Sequence, residues 1–122
     1  MKNSILMLLS VVSFTFFVNA QSVNAQETKE EWPGVTIKVL TDNSKVNVSE
    51  VTFAPGAVAD WHSHPSYSVY AVTNVKMKSE VKGKDATIVE LKAGQAGWSD
   101  AVTHKTTNTG TTPFTVIVTE IK

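Results

Sequence analysis

The chain has 122 residues, with eleven Lys, no Arg and eleven Asp or Glu, and its net charge is zero with the histidines neutral. That size allows one compact domain, and the balance excludes the clustered basic charge that nucleic acid or an anionic membrane surface requires. Cysteine is absent, so thiol catalysis, zinc–thiolate sites and disulfide staples are excluded as well.

Residues 1–25 read as an export signal. Lys2 supplies the positive start, and residues 5–18 are apolar apart from Ser10, Ser13 and Thr15. Val18-Asn19-Ala20 and Val23-Asn24-Ala25 each end on Ala with a β-branched residue two positions before it, the pattern a signal peptidase cuts. The run is shorter than the about 20 apolar residues of a membrane span. Cleavage after Ala20 or Ala25 is therefore expected, with a retained anchor as the alternative. Without Lys2 the remainder carries ten Lys against eleven acids, a net charge of −1. This predicts a secreted or periplasmic domain with no membrane attachment. Residues 26–33 are expected to be a flexible lead-in, and residues 34–122 the folded domain.

Short strands with turns between them are expected from there on. Residues 35–40 form the first and end at Thr41-Asp42-Asn43-Ser44. Residues 46–53 alternate with period two and stop at Pro55-Gly56. Residues 67–72 and 75–81 follow. The second of these carries Lys76, Lys78 and Glu80 on one face and reads as an edge strand whose lysines discourage further pairing. A turn at residues 82–85, a strand at 86–91, a turn at 92–95, a turn at 108–111 and a strand at 114–121 complete the pattern. No window after the leader shows the i, i+3, i+4, i+7 spacing of an amphipathic helix. The fold class is therefore one all-β sandwich or barrel.

The chain has three histidines. His62 and His64 are two apart, which on a strand puts both imidazoles on one face with Cα atoms about 6.6 Å apart. Neutral imidazole is the commonest protein ligand for divalent transition metals, and His104 can approach from another strand as a third. Read alone, a His-x-His pair is as compatible with two solvent-facing side chains.

The surrounding residues carry a resemblance. Gly56, His62 and His64 match the spacing of the first motif of the cupin superfamily, and Gly94, His104 and Asn108 look like the second. The resemblance spans residues 34–121 and implies a small single-domain cupin, an antiparallel jelly-roll barrel. It implies one divalent ion on His62, His64 and His104, drawn from Fe, Mn, Ni, Cu or Zn, and a small-molecule ligand. It also implies a homodimer in which residues 35–40 are the exchanged or interfacial strand. The sequence departs from the family pattern where a carboxylate ligand belongs: Ser68 or Val69 stands there. Three neutral ligands leave the full +2 charge on an ion and positions open to an incoming molecule, as in three-His dioxygenases. A metal-dependent, dioxygenase-like oxidoreductase is one reading. A non-catalytic binding or sensing module is a second, and a degenerate barrel without metal a third.

Period-two counting from His64 places Ser68 and Tyr70 inward. Ser68 becomes a candidate for a metal-coordinated water and Tyr70 for a phenol at the substrate. Thr106 shares the face of His104, and Asp60 shares that of His62, where its carboxylate is a candidate partner for an imidazole N–H. Trp98 is a candidate pocket wall, with core packing as the alternative. Trp61 alternates outward, and Asn108 is expected to fix the turn that follows it.

Overall fold

A computed structural model describes residues 27–122. The expected export signal lies outside the described residues. Ten strands run in order: β1 (Thr28–Trp32), β2 (Val35–Asp42), β3 (Val46–Phe53), β4 (Val58–His64), β5 (Tyr67–Ala71), β6 (Val75–Glu80), β7 (Thr87–Leu91), β8 (Ala96–Ser99), β9 (Val102–Asn108) and β10 (Phe114–Ile121). They pair antiparallel in two sheets, β1-β2-β3-β10-β5-β8 and β4-β9-β6-β7, with no helix among the described residues. This is the expected all-β jelly-roll barrel.

The period-two pattern explains why these segments are strands. Along β10, Phe114, Val116 and Val118 face in while Thr115, Ile117 and Thr119 alternate with them. Paired residues share a face, so register stacks the inner side of the larger sheet in layers. Val35, Phe53 and Phe114 form the first, with the two phenyl rings 4.7 Å apart. Ile37, Val51, Val116 and Ala71 form the second, and Ser49, Val118 and Val69 the third. The last brings Asn47, Glu120, Tyr67 and Ser99 together. The interior thus passes from aromatic and aliphatic to polar along the barrel.

Two expectations are corrected. Residues 28–32, expected in the flexible lead-in, form β1 and pair with β2. Trp32 opposes Val35 across the two-residue loop Pro33-Gly34, where Gly34 has φ of 77°. Proline first and glycine at positive φ second is the order a type II turn demands. A Cβ on Gly34 would also meet the Ala57 methyl at 3.0 Å. Residues 35–40, the strand expected at a dimer interface, lie inside β2 between β1 and β3, and β1 and β8 are the edges of that sheet. Second, β6 is no edge strand: it lies between β9 and β7. Its lysines face acids on the outer surface, Lys76 at 4.0 Å from Glu90 and Lys78 at 3.8 Å from Glu80.

Candidate metal centre

β4 and β9 carry the three histidines, and a bulge aims them. Ala59 opposes Thr106 and His62 opposes His104, so β4 takes three steps where β9 takes two. The extra residue is absorbed at Asp60-Trp61. Without it, strict alternation from the inward Ala59 would turn Trp61 in and His62 out. With it, Ala59, His62 and His64 all line the cavity and Trp61 is exposed.

The ligand atoms of His62, His64 and His104 all lie within 4.8 Å of one another. Each ring is tied through Nδ1. His62 Nδ1–H donates to the Asp60 carbonyl oxygen at 2.6 Å, and His64 Nδ1–H donates to Glu120 Oε1 at 3.0 Å. Ser79 Oγ lies 3.4 Å from His104 Nδ1, the loosest of the three. An imidazole that donates through Nδ1 keeps its Nε2 lone pair, which fixes the tautomer a metal needs. Desolvation pushes the His104 pKa down to about 4, and the neighbouring His62 and His64 push the same way. Burial likewise lowers that of His62. Both rings are therefore neutral at physiological pH and need shed no proton to ligate. The donor set and its orientation fit a divalent transition metal.

The other sequence candidates scatter. Thr106, 3% exposed, lines the cavity beside His104 as expected. Asp60 does meet an imidazole, but through its main-chain carbonyl; its carboxylate accepts the N–H of Trp61 at 2.8 Å. The bulge takes its side chain off the histidine face. Ser68 and Tyr70 point away from the cavity, and Tyr70 is 46% exposed. Counting from His64 fails because Pro65-Ser66 carries the chain from one sheet to the other, which resets the phase. Trp98 is 60% exposed on β8, so it neither walls the cavity nor packs in the core. Asn108 is buried and secures the turn as expected: its Nδ2 donates to the Phe53 and Thr112 carbonyls, and its Oδ1 accepts from Gly110 N–H.

Sequence reasoning missed three residues. Tyr67 is the inward tyrosine, its ring centroid 4.6 Å from that of His64 and 6.4 Å from that of His104. Burial raises its pKa, against an opposing hydrogen bond with Ser99, so the phenol keeps its proton. Glu120 and Ser79 are the others, and both were readable. Stepping by twos through Phe114, Val116, Val118 and Glu120, or Val75, Met77 and Ser79, ends on a polar group facing the core.

No family model and no curated protein matches this chain. Solved structures do. A cupin domain from Bordetella pertussis Tohama I shares 29% identity with a TM-score of 0.69, over 77% of this chain and 99% of that one. The chain is a cupin by fold. KdgF from Halomonas sp. aligns with this cupin over 78% of its length and 86% of that chain, at 21% identity and a TM-score of 0.60. Bacillus subtilis oxalate decarboxylase shares 22% identity over 78% of this cupin and 27% of that chain, with a TM-score of 0.61. The solved neighbours therefore include an enzyme, and at these last two identities the likeness is one of fold.

Proposed function

We propose that this cupin binds one divalent transition metal through Nε2 of His62, His64 and His104, and that the barrel beneath it receives a small organic molecule. The observation that carries this reading is the convergence of three imidazoles, each anchored through Nδ1 by a different partner. A bound ion supplies Lewis-acid chemistry there and, if Fe or Cu occupies the site, one-electron chemistry of the dioxygenase-like kind. The chain supplies the rest. Tyr67 offers a neutral phenol O–H beside His64, placed to donate to an oxygen of the incoming molecule. Glu120 holds the ring of His64. The apolar layers below exclude water.

Neither Tyr67, which keeps its proton, nor Glu120, whose carboxylate is engaged by His64, stands ready as a general base. That favours ligand binding or oxidation over hydrolysis, and it keeps a non-catalytic binding role as the second reading.

Metal content decides the matter. Protein purified without chelator, or offered Fe, Mn, Ni, Cu and Zn, is expected to hold about one equivalent by mass spectrometry, and His104→Ala to hold none. A wild-type chain that takes up none of the five metals overturns the proposal. We further propose that residues 1–25 are an export signal. Exported protein should begin at Gln21 or Gln26, and a secreted product that retains Met1 counts against this.

A further inference from the structure

The cavity between the sheets has a volume of about 120 Å³. Engineered apolar cavities of about 150 Å³ stay dry and hold benzene or xenon, so this one accommodates a compact body of similar size. Its walls say what kind. Apart from the three histidines, Tyr67, Thr106 and Trp32, whose ring lies 5.2 Å from that of His62, every lining residue is wholly apolar, Val69, Met77, Leu91, Phe114 and Val116 among them. No lysine lines it, and the chain has no arginine. Nothing below the histidines can therefore pair with a carboxylate or a phosphate, which is usually held by Arg or Lys. A charged group pushed into those layers would lose its hydration without a partner. Glu120, whose carboxylate is bonded to His64, adds negative charge at the histidine end.

We infer that the barrel takes a compact molecule with an uncharged, apolar body seated on Val69, Met77 and Val116, and a single polar end turned toward the histidines and Tyr67. Polyanionic substrates such as dicarboxylates are excluded by the same walls. The apolar half of this inference stands on the cavity alone, and only the polar end rests on the proposed metal site.

Two experiments test the halves apart. Metal-free protein titrated with benzene, 1-butanol and succinate is followed by methyl NMR. Benzene and 1-butanol are expected to shift the signals of Val69, Met77 and Val116, and succinate to leave them unchanged. Val69→Phe fills the space and should abolish the benzene shifts; if it fails to fold, Val69→Leu should weaken them. Metal-loaded protein is then titrated with alkanohydroxamates of increasing length. Each added methylene should tighten binding about fourfold, ~0.8 kcal/mol, until the cavity is filled. No response to benzene or 1-butanol, or succinate bound as tightly as 1-butanol, overturns the inference. Benzene binding in a protein that takes up no metal sustains it while removing the proposed metal function.

Discussion

At one end of the barrel, Phe53 and Phe114 stack over Val35, all three nearly sealed from solvent. At the other, three imidazoles, a phenol and a carboxylate crowd one polar layer, held by Asp60, Glu120 and Ser79. The two ends share the same strands: β10 contributes Phe114 to one and Glu120 to the other. The apolar end gains stability from burial. The polar end loses some, because neutral histidines are desolvated beside one another. The barrel thus concentrates its folding energy at the end opposite the three histidines that could hold a metal.

Truncating the apolar end gives the largest expected effect. Phe114→Ala removes a stacked, 2%-exposed ring and should cost about 3–5 kcal/mol in urea unfolding. Metal affinity of the folded fraction, measured by chelator competition, should stay within about twofold. A parallel loss of affinity would mean the two ends are not separable.

Acid should attack the other end. In the metal-free fold the His104 pKa is about 4, against 6.5 for the free side chain. The unfolded chain therefore binds a proton below 6.5 that the folded one refuses until about 4. Stability falls as pH drops through that window, by up to about 3 kcal/mol, and is fully present above it. Burial lowers the His62 pKa as well, which adds in the same sense. Denaturant midpoints of metal-free protein at neutral pH and in mild acid measure the loss. The slope should shrink in His104→Gln, and an unchanged slope would take His104 out of the account.

Between these extremes lies Glu120. Replacing it with Gln keeps a hydrogen-bond acceptor for His64 Nδ1–H and removes the charge. Metal affinity should drop about 10–100-fold, with thermal stability nearly intact. The histidine ring signals in NMR should still show Nδ1 protonated. If affinity is unmoved, the carboxylate is a surface group and the polar layer contributes less than its geometry suggests.

What the sequence made legible follows from where phase is continuous. β3 and β10 were read to the residue, because each alternates without interruption. The histidines were found by spacing within β4 and by a motif in β9. Tyr70 and Ser68 were misplaced because the count crossed Pro65-Ser66, where the chain changes sheets. Asp60 was misplaced by the bulge that also aims His62. β1 was missed because four of its five residues are exposed and polar or charged, with no apolar face to betray it. Only its Pro33-Gly34 turn gave a local signal. Edge position was illegible for β6, since its second partner, β9, comes after β7 and β8 in the chain.

The two tyrosines of β5 give the smallest effects and the sharpest contrast, because they sit three residues apart on opposite faces of one strand. Tyr67 touches His64 inside; Tyr70 pairs with Ile117 and Ala96 outside. Tyr67→Phe removes only a hydroxyl. It should leave metal affinity unchanged and weaken an alkanohydroxamate on the loaded protein by about 1 kcal/mol, roughly fivefold, the contribution of one hydrogen bond. Tyr70→Ala removes a whole ring from a half-exposed position and should cost under about 1 kcal/mol of stability, the scale of a cross-strand pair. It should leave metal and hydroxamate binding alone. Titration of the two variants side by side separates chemistry from sheet packing. A binding defect in Tyr70→Ala that Tyr67→Phe does not share would reverse the assignment of inner and outer faces on β5.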